Sequence, residues 1–163
     1  VDKKGVLSNA NCKVHLNIKV PREIALKLKN GSGNVQVNGT KGDLDFKVGS
    51  GNIKVNGEFS SLEAKNGSGS ISVSGLTGRG DINAGSGKVT LTYKKVPTKG
   101  KLDIRTGSGN ATVLMPATAK ILTSFESATG RVDNELGNSS DAPFKISMKS
   151  GSGGLRIKKV SKN

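Results

Sequence analysis

The stretch "NGSGNVQV", residues 30–37, decides how this chain reads, because a glycine-cornered turn runs directly into alternating apolar and polar residues. Val35 and Val37 fall on one side of an extended segment and Gln36 on the other. The turn recurs: "GSG" begins at Gly31, Gly49, Gly67, Gly85, Gly107 and Gly151, and a variant "ATG" at Ala128. A phosphate-cradling glycine loop occurs once per domain, at a strand-to-helix junction, whereas this one leads into strand-like sequence each time. Repetition of one short unit points to a stacked architecture.

Four and six positions after each turn start stand Val35 and Val37, Ile53 and Val55, Ile71 and Val73, Val89 and Leu91, Ala111 and Val113, then Leu155 and Ile157. Five and three positions before it stand Leu26 and Leu28, Leu44 and Phe46, Leu62 and Ala64, Leu102 and Ile104, then Ile146 and Met148. Both runs have period two, so each repeat supplies two short strands with one apolar face apiece. They are joined by the GSG turn and by a second turn such as "NGTKGD", residues 38–43. A strand pair this short cannot stabilise itself, so equivalent coils must stack in parallel ladders about 4.8 Å apart.

The expected fold is therefore all-β: a single-domain parallel β-solenoid (β-helix) with about 18–23 residues per coil and roughly seven coils. Residues 1–30 read as the opening rung, 31–91 as regular 18-residue coils, and 92–163 as longer coils with loop insertions. The turn glycines Gly31 and Gly33, Gly49 and Gly51, Gly67 and Gly69, Gly85 and Gly87, Gly107 and Gly109, and Gly151 and Gly153 are all expected at φ > 0. That conformation costs other residues about 1–2 kcal/mol. In "VHLNIKVP", Val14, Leu16, Ile18 and Val20 share the core face of the opening rung and His15 faces away. Lys158, Lys159 and Lys162 read as guards of the far edge against end-to-end strand pairing.

Composition limits the rest. Aromatics are 3% and tryptophan is absent, so small aliphatic residues must bury themselves in thin layers. Lys plus Arg number 26 against 12 Asp plus Glu, a net charge of +14, which favours anionic partners. Aromatics for base stacking are scarce and no nucleic-acid-binding motif is visible, so no specific nucleic acid is expected. The lone Cys12 cannot form an internal disulfide, and the lone His15 has no second histidine to complete a metal site. No apolar run approaches the ~18 residues of a membrane span. The chain opens at Val1, from which a processed or trimmed product is expected.

The succession "KVGSGNIKVNG", "AKNGSGSISVSGLTGRGDINAGSGKVTL" and "KLDIRTGSGNATVLMP" resembles the bacterial putative-adhesin family, domains of unknown activity built from serial "sGdv.v" rungs. The resemblance spans nearly the whole chain. It implies an exported protein, whether periplasmic, cell-surface or secreted, and carries over no catalytic residues. Where the family often places Asp after the turn, this chain has Asn34, Asn52, Ser70, Lys88 and Asn110, which speaks against a calcium-binding role for that face.

Four residues before successive turns stand Asp45, Glu63, Asp81 and Asp103, and two before them Lys29, Lys47, Lys65, Asn83 and Arg105. Stacking makes these an acidic and a basic column side by side, with opposite charges compensating each other rather than holding a cation. Arg79-Gly80-Asp81 spells the integrin tripeptide, but Gly80 falls at an inward position, so the match reads as coincidence.

The longer late coils carry their extra residues, "TYKKVPTKGK" from Thr92, "MPATAK" from Met115 and "LGNSSDAP" from Leu136, on one side of the coil. Solenoid insertions gather on one face, often the binding face. Tyr93, Lys94, Lys95, Lys99 and Lys101 are there expected to form a basic lip for an anionic polymer, a glycan or cell-envelope surface. No Ser/His/Asp set supports catalysis and no cofactor is expected. The expected protein is a non-catalytic, exported, monomeric module. A bactofilin-like self-assembling scaffold is the alternative, and a polysaccharide lyase a weaker one.

Overall fold

The computed structural model describes residues 18–160. Three long strands, β1 (Leu26–Ser32) aside, carry the regular part: β2 (Val35–Ser50), β3 (Ile53–Ser68) and β4 (Ile71–Ser86). The remainder is β5 (Val89–Tyr93), β6 (Gly100–Ser108), β7 (Ala111–Met115), β8 (Ile121–Ser127), β9 (Val132–Asn134), β10 (Phe144–Ser152) and β11 (Leu155–Lys159). All eleven pair in parallel within one sheet. The fold is a parallel β-solenoid. Val35, Ile53, Ile71, Val89, Ala111 and Leu155 are successive ladder partners, as are Leu26, Leu44, Leu62, Gly80, Leu102 and Ile146. The period-two alternation sends each of these sets inward, where all but Leu26 are buried. Each buried aliphatic side chain stabilises by roughly 1.5–3 kcal/mol.

The GSG corner uses its two glycines differently. The second has positive φ at Gly33, Gly51, Gly69, Gly87 and Gly153, as its turn demands. The first does not, which corrects the expectation for Gly31, Gly49, Gly67, Gly85, Gly107 and Gly151. At Gly49, Gly67 and Gly85 a Cβ would collide with the carbonyl oxygen of the glycine one rung below. The stack selects that glycine by close backbone approach, not by dihedral angle. Gly109 likewise lacks positive φ and sits against the Gly87 carbonyl.

Two expectations at the ends change. Ile18 is 64% exposed and Val20 36%, and among the described residues no strand forms before Leu26 except a bridge between Glu23 and Lys41. Pro21 removes a backbone donor at that point and breaks the ladder. Cys12, Val14, His15 and Leu16 lie outside the described residues, as does Lys162.

At the other end the rungs are out of sequence order. β10 lies between β6 and β8, and β11 between β7 and β9. The last rung of the chain is thus inserted beneath the "ATG" rung, so β11, which carries Lys158 and Lys159, is not the far edge: β9 pairs its outer side from Leu155 to Ile157. The side chains explain the exchange. Phe144, Ile146, Met148, Leu155 and Ile157 are all buried to 1% exposure or less, whereas the "ATG" rung turns Thr123 and Asn134 inward. Placing the polar rung outermost lets Asn134 Nδ2 donate to the Gly137 carbonyl at 3.1 Å. The Thr123 amide donates to Asn138 Oδ1 at 2.9 Å. The loop 135–143 thereby closes the end of the stack, and Leu136 packs on the core.

Candidate functional site: a basic groove at the second corner

Opposite the GSG corner, every regular coil turns through a β-bulge. The ladder slips between Asn38 and Thr40, between Asn56 and Phe59, and between Ser74 and Leu76. Extra residues bend the strand there, and glycine supplies the geometry: Gly39 has φ 73° and Gly75 φ 99°. Gly57 has no room for a side chain, because a Cβ would strike the Thr40 carbonyl and the Phe59 ring. The glycines leave a shallow groove of about 310 Å³ that crosses successive corners along the solenoid axis.

Cations surround it. Arg22, Lys41, Lys94 and Lys95 line the groove with a single carboxylate, Glu58. Lys94 and Lys95 start the first late insertion, residues 94–99, which folds back over earlier rungs. Lys94 Nζ donates to Asn56 Oδ1 at 3.2 Å, and Lys95 Nζ to Glu58 Oε1 at 2.6 Å. The Lys95 ammonium holds Glu58 below the usual carboxylate range, with Lys41 and Arg22 acting in the same direction. Lys41 pairs with Glu23 at 3.1 Å. Among the described residues no carboxylate lies within ion-pair distance of Arg22 or Lys94. Thr40 also lines the groove, 4% exposed, and its hydroxyl oxygen has no hydrogen-bond partner.

Of the five residues expected at the basic lip, the structure brings Lys94 and Lys95 together. Lys99 is exposed but outside the groove lining, and Lys101 turns to Asp103 at 2.8 Å. Tyr93 is a correction: it is not on the surface but fully buried, its hydroxyl donating to the Gly78 carbonyl at 3.2 Å. Its ring meets Phe144 edge-on at 5.3 Å. Tyr93 stacks above Leu76, itself above Phe59, so it belongs to a core column one residue before the loop begins. Lys41 and Glu58 lie in short turns and Arg22 in the segment before β1, so none of the three belongs to an insertion. The 18-residue repeat aligns Glu58 with Thr40, and only the register shift at the bulge makes Glu58 the ladder partner of Lys41.

On the strand faces the charge columns stand as the register requires: Asp45, Glu63, Asp81 and Asp103 are ladder partners, and so are Lys47, Lys65, Asn83 and Arg105. The two columns interlock, Lys65 with Glu63 at 2.7 Å and Arg105 with Asp81 at 3.4 Å. Lys27 holds Asp45 at 2.9 Å and keeps its carboxyl below the usual range. In Arg79-Gly80-Asp81, Gly80 points into the core against Leu102 and Leu76.

The Toastrack DUF4097 family model matches residues 8–163, and the chain belongs to that family. The comparison with curated proteins gave no match. Among solved structures, a "putative cell adhesion protein" from Clostridium sporogenes ATCC 15579 is 14% identical, with 81% of this chain and 92% of that one covered and a TM-score of 0.40. A likeness of that degree carries nothing about function.

Proposed function

We propose that the protein is a non-catalytic, exported, monomeric β-solenoid that holds an anionic cell-envelope glycan along its second-corner groove. One observation carries the reading: four cations, Arg22, Lys41, Lys94 and Lys95, surround a glycine-floored groove that crosses consecutive rung corners. Rungs about 4.8 Å apart spread those charges along the axis, as an extended chain with repeated anionic groups needs. The groove's one carboxylate is held ionised by a lysine, which makes it a poor general acid and supports a binding role over a catalytic one. The loop that closes one end of the stack supports a monomer over an end-to-end filament.

The test is binding of fluorescently labelled dextran sulfate, with uncharged dextran as control. Affinity is expected to fall steeply as salt rises, since exposed charges are screened within about 10 Å at 0.1 M. A Lys41→Gln/Lys94→Gln variant is expected to bind on the order of tenfold more weakly. Binding that survives 1 M salt, or that ignores both substitutions, removes the groove from the account. Fractionation of the source cells tests export, and a protein confined to the cytoplasm overturns that part.

A further inference from the structure

We propose that Glu58 is an internal placeholder, its carboxylate occupying the position that an anionic group of the bound glycan takes. The inference rests on the groove reading above and adds a built-in competitor to it. Glu58 and Lys95 are 37 residues apart, and the loop 94–99 must fold back across the stack to bring Lys95 Nζ within 2.6 Å of Glu58 Oε1. That pair is open to water, with side chains 70% and 48% exposed, so an incoming anion can exchange with it. The facing groups are all cationic: Lys95 from the loop, Lys41 from the neighbouring corner and Arg22 from the segment before β1. Lys94 stands beside them on a neutral partner, Asn56, and Glu23 engages Lys41 from the outer side. The arrangement is that of an anion site already holding one carboxylate of the chain itself.

Two consequences separate a placeholder from an ordinary surface ion pair. Removing the carboxylate without removing its shape must improve binding, and protonating it must do the same. The sign follows from Glu58 being held low: above its pKa the carboxylate competes with the ligand, and as pH falls through that value competition ends and affinity rises. A sulfated probe keeps its own charge over that range, so the change reports the protein. Glu23 is the second carboxylate on this cluster, paired with Lys41 at 3.1 Å, which makes Glu23→Gln a necessary comparison.

The experiment uses the full chain with labelled dextran sulfate at low salt, comparing wild type, Glu58→Gln, Glu23→Gln and Asp133→Asn. Asp133 pairs with Arg156 on the outermost rung, so its loss changes net charge equally but at the far end of the stack. Glu58→Gln is expected to bind about fivefold more tightly and to lose most of the acid-side rise in affinity, while Asp133→Asn changes binding by about twofold or less. If the wild type binds and Glu58→Gln binds no better, the placeholder is refuted and the groove stands. Equal tightening by Asp133→Asn refutes it too, since bulk charge then explains the effect, and acid dependence that vanishes only in Glu23→Gln moves the competitor to the other acid. Should neither wild type nor Glu58→Gln bind, the groove reading falls and this inference with it. Capture of anionic phospholipid vesicles in place of dextran sulfate overturns the glycan as ligand class.

Discussion

Between Val35 and Ser86 each coil lies directly on the one before it, whereas beyond Met115 the chain skips a level, lays down the "ATG" rung, and returns to fill the gap. Both regions follow one repeat rule: a corner, two inward pairs, a second corner. They differ in what the inward positions hold. In the regular coils every rung is equally apolar, so sequential order leaves no rung better placed elsewhere. At the end, one rung fills all five of these inward positions with apolar side chains, while the other has Ile121, Phe125 and Val132 but gives two positions to Thr123 and Asn134, and the second better tolerates water and a polar loop on its outer side. Stack order thus follows burial, and chain order yields to it when connecting segments are long enough, as residues 116–120 and 135–143 are.

A cross-link tests the order of the rungs most directly. Asp103 and Ser147 are ladder partners, so an Asp103→Cys/Ser147→Cys chain, with Cys12 replaced by Ser, is expected to oxidise to near completion. Asp103→Cys/Ser124→Cys, which sequential stacking would pair, is expected to stay reduced. The opposite result on a non-reducing gel restores chain order. Next in size is a truncation pair. Phe144→Ala, in the inserted rung, is expected to cost about 3–5 kcal/mol in chemical denaturation, and half-buried Phe125→Ala on the outermost rung about 1–2 kcal/mol. Equal costs would mean the two rungs are equally enclosed.

Tyr93 gives a pH test of the contact between the regions. Burial raises its pKa well above the ordinary value of 10.0, so the folded protein keeps the phenol neutral. The unfolded chain gains by ionising it above about pH 10, and stability is expected to fall by up to about 1.4 kcal/mol per pH unit from there. Because it is the one tyrosine in the sequence, tyrosinate absorbance reports this site alone. The absorbance should rise only with unfolding, and ionisation of the intact fold would contradict the burial. The smallest effect lies at acid pH. Asp45, held low by Lys27 in the regular coils, and Asp141, held low by Ser139 and Lys120 in the closing loop, stabilise above their unfolded pKa values and lose that contribution as pH falls through the folded ones. Asp141 is exposed and Asp45 partly so, and both ion pairs are open to water, so Asp45→Asn and Asp141→Asn are expected to trim the acid slope of stability only slightly.

Much of the fold was legible because its determinants are local and repeated. The spacing of Val35, Ile53 and Ile71 after successive glycine corners implies vertical neighbours once each strand is too short to stand alone. The inward turn of Gly80 and the interlocking charge columns follow from the same register. The site was legible only in part. Lys94 and Lys95 could be read from an insertion, but nothing near Lys95 in the sequence announces Glu58, which meets it because a loop folds back over the rungs. Tyr93 misled for the opposite reason: adjacent to a run of lysines, it takes its place from the strand before them, where alternation turns it inward.

The winding, the face each residue presents and the column it joins are written in the repeat, since these depend on period-two geometry and on corners that recur every 18 residues through the regular coils. Tertiary structure alone decided which rung ends the stack and which cations gather at the groove. Those outcomes compare the burial of whole rungs and the reach of connecting loops, quantities that belong to the assembled stack and to no single repeat.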